Sequence, residues 1–312
     1  MIYRVFCPVS HWPLEEGMPL AGGAAITTLP AHVRNKIATW DYCLTGSQVK
    51  DLQEAQFWIV RECKNGFVDE EDKAQLGLPV LGGMYALQLI APIGTRNFIV
   101  FSGLDRPESA IDSVNVSHPL ISTRWGRAVG FDGARKTELS AVAQGVNTTL
   151  HHGSVRLKNA LYLFEHGLRA SAPYIPLLFW VTALDALMMA GNGNVFEQRL
   201  SRFLGPEALV LPPVASIGQP KYRVRDVLGD VYSLRSTIAH GMKVGPRFLA
   251  QSGLEMQDGF PTGLPDLASY RYFQLLEECA LFLLCSTLRK IFLSNLTETV
   301  GNEVEWRRTL GR

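Results

Sequence analysis

The sequence predicts a mainly α protein, with a C-terminal helical bundle preceded by a small α+β domain. Three observations predict it. Hydrophobic residues make up 47% and charged residues 19% of the 312-residue chain, enough apolar surface for an extensive buried core. Glycine and proline punctuate the first 135 residues so often that only short strands and helices fit between them. From residue 136 onward, apolar positions recur at helical spacing through one segment after another. The expected division is therefore an α+β domain of unassigned role at 1–135 and a helical bundle at 136–312.

In the first part, Ile2–Val9 and Asn97–Ser102 read as strands, and Val49–Cys63 reads as a helix with Leu52, Phe57, Ile59 and Val60 facing a core. Gly83–Ala91 reads as a second helix ended by Pro92. The acidic run Asp69–Asp72 is expected to be a solvated turn, Gly103–Pro119 a connecting loop, and the pairs Gly22–Gly23 and Gly82–Gly83 turns. In the second part, helices are expected over Thr137–Leu150, Ser154–Ala170, Tyr174–Ala190, Val195–Leu204, Val224–His240 and Leu267–Ser294. Ser154 and Asn194 are expected N-caps, and Pro176 suits a first turn. Tyr174–Ala190 is apolar nearly all round and should be the most enclosed helix. Val244–Asp266 is rich in Gly and Pro without periodicity and reads as a long loop.

Composition excludes several classes. A net charge of +1 rules out a polycation coating nucleic acid with its whole surface. Five cysteines, an odd number with no CxxC pair, point to a reducing, cytoplasmic setting. The N-terminus MIYRVFCPVSHWP has only a short apolar run broken by Pro8 and Pro13, unlike a signal peptide. The most apolar stretches, Ile175–Ala190 and Cys279–Leu293, are too short or too interrupted by charge to span a bilayer, so no membrane partner is expected. There is no GxxxxGK[ST] loop, GxSxG elbow, HExxH or strand-bound GxGxxG. His151–His152 lack an accompanying ligand cluster, so neither metal nor cofactor is expected.

One helix stands out. Winding Val224–Gly241, VRDVLGDVYSLRSTIAHG, at about 100° per residue gathers Val224, Val227, Leu228, Val231, Leu234 and Ile238 on one stripe, with Arg235 in its middle. A guanidinium keeps its charge, so burying it alone costs several kcal/mol. Asp185 is the single charge of the enclosed helix Tyr174–Ala190 and is the expected partner of Arg235. His240 follows five residues on, with Gly241 as a helix stop. Positions five apart diverge by about 140° on an ideal helix, so Arg235 and His240 share a face only if the helix unwinds at the His or a second copy supplies the partner. The bland reading makes Arg235 a salt-bridged core residue and His240 a helix terminator. Lys221, Arg223 and Arg225 precede the helix and either track an RNA backbone or form a solvated loop. Arg199 and Arg202 read as surface residues.

The run DVYSLRSTIAHG ends a helix, follows LLFWVTALDALMM and VFEQRLSRFLG, and precedes one long apolar helix. This order and wording resemble the Apea-like branch of the HEPN superfamily over about residues 137–295. The resemblance implies a HEPN-like bundle and a metal-independent endoribonuclease acting as a homodimer, with both motif copies facing one cleft. Arg235 and His240 are the implied catalytic pair, with Asp185, Ser236 and Thr237 in support. In that chemistry His240 moves a proton as acid or base, and Arg235 holds the scissile phosphate. An effector in bacterial defence or a toxin–antitoxin system is the expected role, with RNA as substrate and an antitoxin or defence protein as a further partner. The alternatives are a non-catalytic HEPN module that dimerises and binds nucleotide or a partner, and a purely structural scaffold.

Overall fold

The computed structural model describes residues 2–9, 14–37, 39, 44, 46–64, 69–92, 98–104, 106, 111, 113–117, 133–170, 175–210, 222–240, 256–257, 260–261 and 267–311. The protein is mainly α with an α+β N-terminal region, and it divides into two compact units. The first comprises residues 1–152 with 292–295, and the second comprises the remainder. The expected boundary at 135/136 falls inside the first turns of helix α4 (Gly133–His152). That helix groups with the first unit, so the division comes at its end.

The first unit is built on a six-stranded antiparallel sheet of order β2-β3-β4-β1-β5-β6. Its strands are β1 (Tyr3–Val9), β2 (Met18–Pro19), β3 (Ala24–Thr27), β4 (Phe57–Cys63), β5 (Phe98–Leu104) and β6 (Ser113–Ser117). The expected strands at both ends of this region are present as β1 and β5. Two expectations fail here. Helix α2 (Gly46–Glu54) covers only Val49–Glu54 of the expected helix Val49–Cys63, whose second half is β4. The run Phe57–Val60 is apolar on both sides because both faces of β4, which lies between β1 and β3, are buried, with Trp58 and Val60 facing one way and Ile59 the other. The expected loop Gly103–Pro119 contains β6, whose SVNVS pairs with β5 from Ser102↔Ser113 to Phe98↔Ser117.

Register fixes the two faces. Phe6 pairs across to Val60 and Phe101, while Cys7 pairs to Ile59. The Phe6 face carries Trp58 and Phe101, and α1 (Ala31–Ile37) and α2 cover it through Val33, Ile37 and Leu52. The other face receives α3 (Glu70–Ile90), which starts thirteen residues before the expected Gly83. Glu70–Asp72 of the acidic run thus begin this helix, directly after Asp69, and do not form a separate turn. Gly82 and Gly83 are inside α3. A Cβ at Gly83 would lie 2.8 Å from Leu20 and 3.1 Å from Ile59, so the missing side chain lets the helix sit on the sheet. Gly22 and Gly23 do form a turn, at φ +64° and +74°. Helix α4 then packs on α3, with Arg135 donating to the Ile90 carbonyl at 3.0 Å.

The second unit begins with a helical hairpin, α5 (Val155–Arg169) and α6 (Ile175–Met188), followed by α7 (Gly193–Leu204) and α8 (Val224–Ala239). Ser154 caps α5 by accepting from the Leu157 amide, as expected, whereas α7 is capped by Asn192 and not by Asn194. Helix α6 is the enclosed member: Leu177, Trp180, Val181, Ala183, Leu184, Leu187 and Met188 are all fully buried. A long helix, Leu267–Leu293, follows. The sequence reading stops there, yet Thr297–Gly301 and Glu303–Leu310 form two further short helices, the second anchored by buried Trp306. The expected loop Val244–Asp266 falls outside the described residues except for a short pairing of Met256–Gln257 with Phe260–Pro261. Among the described residues no single helix is long and apolar enough to cross a membrane.

Candidate functional site

The site begins at the C-terminal end of α6, where four carbonyls lack intrahelical partners. Each finds a donor. The Asp185 carbonyl accepts from the Ala190 amide at 3.2 Å, and that of Ala186 accepts from Met189 at 3.3 Å. The Leu187 carbonyl takes the Trp306 indole N–H at 2.6 Å, and Met188 takes Arg199 at 2.9 Å. Arg199 also donates to the Met189 carbonyl at 2.7 Å, so this expected surface residue is a half-buried clamp between α7 and α6. Arg202 likewise donates, to the Leu310 carbonyl at 3.3 Å. Met189 adopts φ +50°, a left-handed conformation costly for a side chain with a Cβ, and the surrounding bonds hold it there.

This capped end fixes Asp185. One carboxylate oxygen accepts from the Gly191 amide at 3.2 Å, and the other lies 3.8 Å from Nη2 of Arg235. The expected Asp185–Arg235 pair is therefore present, at the long end of ion-pair distances. Both side chains are half-buried, 18% and 22% exposed. Arg235 is thus at the edge of the apolar stripe of α8, not in its middle, while Val224, Val227, Leu228, Val231 and Leu234 form the buried face.

Tyr232, one turn before Arg235, completes the cluster. Its ring centroid is 5.7 Å from the Arg235 guanidinium carbon and 4.9 Å from the ring of Phe196. A guanidinium against an aromatic face gains about 0.5–1 kcal/mol or more as the site dries. Burial pushes the Tyr232 hydroxyl above the ordinary tyrosine range, Asp185 adds to the rise, and Arg235 opposes it. Sequence reading missed Tyr232; the i, i+3 spacing of an aromatic and a cation on one helix could have found it. Arg235 remains under-coordinated, since its Nε is buried with no hydrogen-bond partner among the described residues.

The other expected site residues lie elsewhere. His240 is the exposed C-cap of α8, and its amide still donates to the Ser236 carbonyl at 3.1 Å. The helix is therefore wound up to the His backbone, and the divergence of about 140° from Arg235 persists within one chain. Thr237 spends its hydroxyl proton on the Ser233 carbonyl at 2.9 Å, and Ser236 is half-buried. Arg223 and Arg225 both pair with Glu207, and Arg225 also lies 3.6 Å from Asp226. These two stand at the opposite end of α8, about 22–26 Å along the axis from His240 at about 1.5 Å per residue. Lys221 and Gly241 lie outside the described residues. Among the described residues no group of three or more His, Cys, Asp and Glu side chains is placed to hold a metal ion.

Comparisons with protein-family models, with curated proteins and with solved structures return no match for this chain.

Proposed function

We propose that the protein is a metal-independent endoribonuclease of the HEPN type, acting as a homodimer on single-stranded RNA as a defence or toxin–antitoxin effector. The observation that carries this reading is the state of Arg235. It has one distant carboxylate, one aromatic face and a buried Nε without a partner among the described residues, so its donors are incompletely spent. A phosphate oxygen completes that set better than Asp185 does, because a bidentate charge-assisted bond at about 2.8 Å replaces a contact at 3.8 Å. Asp185 orients Arg235 in the resting state and yields it when the phosphate arrives.

His240 is the proton-transfer group of the proposed reaction. It takes the 2′-hydroxyl proton or returns one to the 5′-oxygen, while Arg235 stabilises charge on the phosphorane. Because the two side chains diverge on one helix, Arg235 of one copy and His240 of another form the working pair across a two-fold axis. Arg223 and Arg225, at the far end of α8, serve as distal backbone contacts in competition with Glu207.

The test is cleavage of single-stranded RNA in EDTA by the full chain. Arg235→Ala and His240→Ala should each abolish cleavage, with the His variant melting like the wild type because His240 is exposed. Normal cleavage by His240→Ala would sink the proposal. A second reading draws on the Asp185–Arg235 pair as a stabilising contact between α6 and α8. It makes the bundle a non-catalytic dimerisation and nucleotide- or partner-binding module. That module would retain dimerisation and affinity in the His variant and show no turnover in the wild type.

A further inference from the structure

The first unit contains a cavity that the ribonuclease reading does not use. It has a volume of about 220 Å³ and opens between α1, α2 and the Phe6 face of the sheet. Ile37, Leu44, Val49, Leu52 and Ala55 form aliphatic walls, and Trp58 from β4 forms a further side. Arg34 and Gln53, both exposed, are the polar residues of its lining.

Size, lining and charge each restrict what fits. An apolar cavity of about 150 Å³ holds benzene. The volume here admits one ring with a short chain, below the range of about 300–1,000 Å³ typical of drug-sized ligands. Six of the eight lining residues are apolar, so the walls favour an apolar body. Arg34, exposed and without an ion pair or hydrogen bond among the described residues, is the cation of the lining and the group an anion would meet there. Trp58 is only 1% exposed, and its indole N–H has no acceptor among the described residues. A buried donor left unpaired costs about 1–3 kcal/mol, so this wall is unfinished as a piece of core.

We propose that this cavity binds a small monocarboxylate with an aromatic body, the ring lodged against Trp58 among the aliphatic walls and the carboxylate paired with Arg34. The first unit then has a ligand-sensing role that stands whether or not the second unit cleaves RNA.

The test is isothermal titration of the full chain with phenylacetate and with its neutral isostere phenylacetamide. Phenylacetate should bind saturably at one site, about tenfold tighter than the amide, as one charge-assisted bond allows. Arg34→Gln, an exposed substitution, should weaken the acid to the level of the amide and leave the amide unchanged. Val49→Phe should fill the cavity and weaken both ligands at least tenfold; if it loses helical circular dichroism, Leu44→Trp serves the same purpose. No saturable heat at millimolar phenylacetate, equal affinity for acid and amide, or binding indifferent to Arg34→Gln would each overturn the proposal.

Discussion

The two units treat their buried tryptophans differently. In the second unit, Trp180 donates to the Phe164 carbonyl at 3.2 Å and Trp306 to that of Leu187 at 2.6 Å. In the first, Trp58 is as deeply buried, stacks edgewise on Phe6 and Phe101, and has no acceptor for its N–H among the described residues. The Leu187 carbonyl is one of the four spare acceptors at the end of α6, whereas the Phe164 carbonyl, inside α5, takes the Trp180 indole on its second lone pair. In the interior of a sheet the carbonyls are already paired, and an inward-facing indole has nowhere to bond. Two equally buried rings thus differ in how complete their surroundings are, and the incomplete one borders the cavity.

Several substitutions sharpen or break that contrast. Trp306→Ala should be the most damaging, costing about 3–5 kcal/mol in denaturant unfolding through lost area and an emptied packing site. Gly167→Ala comes next, because its Cβ would lie 2.2 Å from the Trp180 indole nitrogen; about 1–3 kcal/mol of overpacking is expected, read as a lowered melting temperature. Trp306→Phe should cost about 1–3 kcal/mol more than Trp58→Phe, since only the former strands a buried carbonyl. Equal costs for these two would mean that both indoles sit in equally complete surroundings.

The smallest effect concerns alkaline pH. The folded chain holds the Tyr232 proton more tightly than the unfolded chain, whose tyrosine ionises near its ordinary value of 10.0. Stability should therefore fall as pH rises through that value. Tyr232→Phe should remove part of the slope in a pH series of urea melts.

The sequence made the bundle legible because helical periodicity survives in α4 to α8 without long-range information. It also exposed Asp185 and Arg235, since the single charge of one apolar helix and a cation among the apolar positions of another each demand a partner. The first unit was harder. Phe57–Val60 is apolar at every position, and only its neighbours β1 and β3 decide that it is a strand. Gly82–Gly83 carries a turn signature, yet close approach to Leu20 and Ile59 explains the glycine better. Arg199 looked like a surface cation because its acceptors, the Met188 and Met189 carbonyls, belong to another helix. A cavity leaves no trace in a sequence at all, being space that side chains fail to fill.

The hydrogen bond from the His240 amide back to the Ser236 carbonyl has a kinetic corollary. On the proposed reading, a solitary molecule has its proton donor and its cation aimed at different quarters of the solvent. Turnover per molecule should then vanish on dilution and rise linearly with protein concentration while monomer predominates, the total rate rising as its square. Mixing the Arg235→Ala and His240→Ala chains should restore part of what each has lost, because every mixed pair retains one intact cross-subunit couple.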